Sequence, residues 1–95
     1  MTKVYDKAKW HIEGGEDEGE VVEKFNKTFV FLNEHELLTE EGKELIEIGI
    51  DAEICLNDRM LTEEGKVFIE KHIDRLMEVS SSEIMDVMQS LIEDR

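Results

Sequence analysis

The chain contains no proline and a single cysteine, Cys55. One cysteine excludes an intramolecular disulfide, and with it a disulfide-stapled secreted domain. The absence of proline removes the strongest helix breaker and fits a chain built mainly of helices. No apolar run approaches the roughly 18 residues that a membrane span needs. The first residues are polar and offer no apolar segment that would serve as a secretory signal, so the cytoplasm is the expected location. Bases are scarce, with 11 Lys and Arg against 25 Asp and Glu and a net charge of −14 on 95 residues. A field of that sign repels nucleic acid and anionic lipid and speeds encounter with basic proteins. Neither nucleic acid nor membrane is an expected partner; a basic protein is.

The shortage of bases is uneven. Residues 1–11 hold Lys3, Lys7 and Lys9 against Asp6, a net +2, whereas residues 12–95 carry a net −16. Charged residues make up 38% of the chain, well above the roughly 25% of an average domain. The hydrophobic share is 40%, including four Phe, one Trp and one Tyr, which supplies the modest core of one domain over residues 1–95.

What the chain does have is a repeat. Leu38-Thr39-Glu40-Glu41-Gly42-Lys43 recurs letter for letter as Leu61-Thr62-Glu63-Glu64-Gly65-Lys66, 23 residues later. The agreement extends to Ile46/Ile69, Glu47/Glu70, Ile50/Ile73 and Asp51/Asp74. Each copy reads as a helix start, with Thr39 or Thr62 as N-cap and two glutamates in the first turn. Glycine at the third helical position breaks the capping-box pattern and costs up to about 1 kcal/mol relative to alanine. Its use in both copies predicts a close approach by another stretch of backbone. In the first copy Leu45, Ile46 and Ile48 are expected to face inward until Gly49 stops the helix. In the second, Phe68, Ile69, His72, Ile73, Leu76 and Met77 extend the pattern, so the second helix is the longer.

Around this repeat the spacing predicts two more helices. One opens after Asp17 as N-cap and carries Val21, Val22, Phe25, Phe29 and Leu32 as an apolar stripe, ending near Asn33 or Glu34. The last follows Ser80–Ser82, with Ser80 and Glu83 at capping-box spacing and Ile84, Val87, Met88 and Leu91 inward. Residues 4–12 read as an extended arm or short strand, closed by Gly14 and Gly15. The expected fold is mainly α: a small four-helix domain with a short N-terminal extended arm or strand.

Signals for chemistry are weak. His11, His35, Cys55 and His72 share no metal-ligand spacing, and no nucleophile lies in a recognisable activating motif. No catalytic residue, metal or cofactor is expected, and the chain does not read as an enzyme. Histidines clustered with carboxylates in space would reopen that question. The acidic rows are the larger feature. Glu40, Glu44, Glu47 and Asp51 are placed on one face of the first repeat helix, and Glu70 and Asp74 on one face of the second. Such rows either form a solvated face or serve as an anionic docking surface.

Tyr5-Asp6-Lys7-Ala8-Lys9-Trp10-His11, followed by Glu13-Gly14, resembles the opening of a family of small uncharacterised bacterial proteins. Its members begin Tyr-Asp-Lys/Arg-Ala-Lys-Trp-His-Tyr-Glu-Gly. This chain has Ile12 in place of the tyrosine and lacks the Phe-Pro segment that would follow. Some members lie near toxin–immunity loci, so the resemblance implies an interaction protein and transfers no catalytic residue. Trp10 reads as an aromatic that pins the arm to the core or as an exposed binding anchor flanked by Lys7 and Lys9. The leading expectation is an immunity-type module that neutralises a basic partner, with Trp10, His11 and the six acids above as contacts. The repeat also resembles the helix start after the wing of winged-helix proteins. The alternative reading is a winged-helix-like regulator without strong DNA affinity that acts as a homodimer, and it would show a β-hairpin before Thr39 or Thr62.

Overall fold

The computed structural model describes residues 2–93. Strand β1 (Val4–Lys7) leads directly into the short helix α1 (Ala8–Glu13). Helices α2 (Glu18–Glu34) and α3 (Glu40–Ile48) follow, then strand β2 (Cys55–Asn57) and a single 3₁₀ turn over Asp58–Met60. Helices α4 (Glu63–Glu78) and α5 (Ile84–Glu93) complete the order. The fold is mainly helical, as expected, but the N-terminal arm is half strand and half helix. Alternation ends at Lys7, and Gly14 with Gly15 (φ 100°) closes the helical turns that replace it.

β1 and β2 pair antiparallel, with Val4 opposite Asn57, Asp6 opposite Leu56 and Lys7 opposite Cys55. The register slips between Val4 and Asp6, so Tyr5 is the extra residue of a bulge. The bulge lets two consecutive residues, Tyr5 and Asp6, both be buried. β2, just ahead of Thr62, pairs with the far end of the sequence and not with a neighbouring strand. The hairpin that a winged-helix arrangement needs is therefore not formed among the described residues.

α2 lies at the centre of the core. Asp17 caps it, accepting from the Glu20 N–H at 3.1 Å, and Val21, Phe25, Phe29, Phe31 and Leu32 are buried along it. It packs against α1, α3 and α5, while α4 packs against α5 and β1. Lys24 donates to the Met77 carbonyl at 3.0 Å and Lys27 to the Ser81 carbonyl at 2.9 Å. These bonds satisfy backbone acceptors around the end of α4, where helical partners run out.

The two repeat copies hold each other. Leu38 and Leu61 form an antiparallel bridge. The Thr39 N–H donates to the Met60 carbonyl at 2.9 Å, and the Thr62 N–H donates to the Leu37 carbonyl at 3.0 Å. Each threonine hydroxyl accepts from the glycine three residues on, Gly42 or Gly65. A Cβ on Gly42 would sit 2.7 Å from the Met60 carbonyl oxygen, and one on Gly65 would sit 2.5 Å from that of Leu37. The close backbone approach predicted from the repeated glycine is thus reciprocal: each copy's first turn packs on the residue before the other copy's leucine. The units are related by a local two-fold and not merely alike in sequence.

Two expectations for α3 need correction. Ile48 does not face inward; it is 79% exposed. Asp51 is not on the helix, because the chain leaves it at Gly49, whose φ is 111°. Asp51 instead shapes the following turn, its carboxylate accepting from the Glu53 N–H at 2.9 Å. At the start of α5 the Ser80 backbone carbonyl, not a reciprocal capping box, receives the Glu83 and Ile84 N–H groups.

Candidate functional site

The predicted contacts separate into three places. Trp10 lies on α1, 48% exposed, with the Lys7 ammonium 5.7 Å from its ring centre. It does not pin the arm; Tyr5, Asp6, Ala8 and His11 are the buried residues there. The α1 turn sets Trp10 and His11 about 100° apart, so one is out when the other is in.

His11 is the hub of a buried charged cluster. Its Nε2 lies 2.9 Å from both Asp6 carboxylate oxygens, and its Nδ1 lies 2.7 Å from Glu16. The Asp6 and His11 side chains are 7% and 8% exposed, whereas the Glu16 side chain is 55% exposed, so the cluster opens on one side. Burial works to lower the His11 pKa, but the hydrogen bonds to Asp6 and Glu16 and their charges raise it above the ordinary 6.5. A ring that donates from both nitrogens is an imidazolium with no lone pair for a proton or a metal. Lys24, buried on α2, adds a second cation. Burial lowers its pKa from the ordinary 10.5, against the opposing pull of Asp6 and Glu16. Asp6, Lys24 and Thr28 line a cavity of about 20 Å³ walled by Leu56, Leu76 and Ile84. The geometry ties β1, α1 and the start of α2 together.

Glu70 is engaged within the chain. The Tyr5 hydroxyl donates to it at 2.6 Å and Lys3 lies 3.9 Å away. Burial and this carboxylate push the Tyr5 phenol pKa upward. Asp74 remains exposed on α4.

α3 carries the exposed acidic row. Glu40 pairs with Lys43 at 3.7 Å and Glu41 with Arg59 at 3.5 Å, both in solvent. Glu44 and Glu47 are exposed and meet no cation among the described residues. Ile48 follows Glu44 by four residues, so the two share a stripe, with Glu47 beside them. Asp51 lies just past Gly49 in the exposed turn. Of the predicted acids, Glu44 and Glu47 therefore adjoin an exposed aliphatic side chain, whereas Glu40 stands at the opposite end of the helix.

Reasoning from sequence missed Asp6 and Glu16 as partners of His11, and Lys24 as the second cation near those carboxylates. Spacing held a partial signal, since Asp6 and Glu16 each lie five residues from His11, but the turn at Gly14 and Gly15 that returns Glu16 to the ring carries no motif.

Among the described residues, no group of three or more His, Cys, Asp or Glu has the geometry to hold a metal ion. No helix among them is long and apolar enough to cross a membrane. No protein-family model, curated protein or solved structure matches the chain.

Proposed function

We infer that the chain is a protein–protein interaction module that docks a basic partner on the outer face of α3, in the manner of an immunity-type neutraliser. The observation that carries this is Ile48, 79% exposed at the end of a helix whose Glu44 and Glu47 find no cation among the described residues. An exposed aliphatic side chain ringed by uncompensated carboxylates suits an apolar anchor surrounded by lysines or arginines. The net charge of −14 steers such a partner at long range, and the row fixes its register on arrival. The resemblance of residues 5–14 to a family some of whose members lie near toxin–immunity loci supports the same class of function. His11 does cluster with carboxylates, Asp6 and Glu16, the arrangement that reopens the question of chemistry; with both ring nitrogens engaged by them, the ring takes a structural role in this proposal.

The test is the association rate of the captured basic partner at low and moderate salt. The rate should fall as salt rises, and fall again for a Glu44→Lys/Glu47→Lys variant. A rate indifferent to both rejects steering by this face.

A further inference from the structure

The outer face of α4 has a charge order that α3 lacks. Its centre is Val67, 68% exposed. One turn earlier stand Glu63 and Glu64, and one turn later stands Lys71, all exposed. With Phe68 and His72 they line an open cleft of about 460 Å³. A second hollow, of about 370 Å³ and shared by Glu36, Thr62, Glu63 and Glu64, carries the acidic end past the start of the helix. At the other end Arg75 is exposed beyond Lys71, and neither cation has an ion-pair partner among the described residues. The pair that Glu63 makes with Lys66, 3.0 Å long, is on a side chain 90% exposed and constrains it little.

Acid and base thus stand at mirrored offsets about an exposed aliphatic residue. A two-fold axis through Val67, perpendicular to α4, brings Val67 against its own copy. It also sets Glu63 opposite the partner's Lys71, and Lys71 opposite the partner's Glu63. With a rise of about 1.5 Å per residue, these charges lie roughly 6 Å to either side of the axis, so both pairs meet in one register. Arg75 then runs past the partner's Glu63 toward the partner's Glu36. The acidic row of α3 has no such solution, because any copy of itself presents carboxylate to carboxylate. We propose that the α4 face is the interface for a second copy of this chain, packed antiparallel as an isologous dimer. It uses a different helix from the docking of a basic partner and does not rest on it. Repulsion between two chains of charge −14 opposes the contact, so the dimer is a weak one that the mirrored pairs select.

Sedimentation equilibrium of the full chain from micromolar to millimolar concentration tests this, with circular dichroism to confirm that each variant folds. Wild type should dimerise. Lys71→Glu and Glu63→Lys should each raise the dissociation constant at least about tenfold, as should Val67→Asp. The first variant carries acid at both mirrored positions and the second carries base at both, so an equimolar mixture should recover a mixed dimer. A wild type that stays monomeric throughout overturns the proposal. So does a dimer that Lys71→Glu leaves unchanged, or a mixture that associates no better than either variant alone.

Discussion

At the scale of single residues, His11 carries the most consequence. Its imidazolium is the only cation in contact with the buried Asp6 carboxylate among the described residues, and it neutralises Glu16 as well. His11→Gln keeps a polar side chain but leaves Asp6 without its counter-charge. Chemical denaturation should show a loss of about 3 kcal/mol, the order expected when one partner of a buried ion pair is removed. The loss should depend on pH. Because the folded pKa of His11 lies above 6.5, its contribution is complete below that value and disappears as the pH climbs through the folded one. The gap between wild type and His11→Gln should therefore narrow as the pH rises above 6.5 and through the folded pKa. A gap that widens over that range would contradict the assignment. Lys24 acts with the opposite sign: its depressed pKa penalises the folded state at lower pH, and the penalty fades toward 10.5. The variant pair shares Lys24, so the comparison isolates His11 to first order. This cluster was illegible in the sequence because its partners meet through a turn and a bulge. Of the two readings of Trp10, the buried one does not hold: large aromatics are usually buried, but here a one-residue step along α1 gives the interior to His11.

Among the elements, the repeated helix starts are where sequence and structure correspond most closely. Thr39, Thr62, Gly42 and Gly65 were readable as caps and close-approach positions, because capping chemistry and the cost of mid-helix glycine are local. What faced each glycine was not readable, since Met60 and Leu37 arrive from the other copy. Alanine is the better helix former by about 1 kcal/mol, yet Gly42→Ala and Gly65→Ala should both destabilise. The new Cβ would press on a carbonyl oxygen at 2.7 or 2.5 Å, and the net loss in thermal or denaturant unfolding should be about 1–3 kcal/mol. A stabilised Gly65→Ala would show that the close contact relaxes at no cost. Thr62→Ala should lose about 1 kcal/mol through the vacated cap. The long amphipathic helices α2, α4 and α5 were legible from their periodicity. α1 was not, because six residues hold too little of a helical period to stand out. The inward assignment of Ile48 failed because it follows Glu44 by four residues and Ile46 by two, which puts it on the exposed stripe about 200° from the inward Ile46.

For the whole molecule, the acidic excess is the defining property, and it was legible from composition alone. Composition does not say which acids are free. The fold engages Glu70 with Tyr5 and Lys3, gives Glu16 to His11, and leaves Glu44 and Glu47 beside an exposed isoleucine. Substitutions on α3 should therefore affect binding without affecting folding: Ile48→Asp should unfold within about 0.5 kcal/mol of wild type, as exposed substitutions do. The most direct test of the docking surface is capture from the source cell with tagged wild type, Ile48→Asp and Glu44→Lys/Glu47→Lys in parallel, with mass spectrometry of what is retained. The expected result is a basic protein held by wild type at low salt and lost from both α3 variants. A partner that remains bound to both variants, or the retention of no basic protein by wild type, would contradict the docking surface.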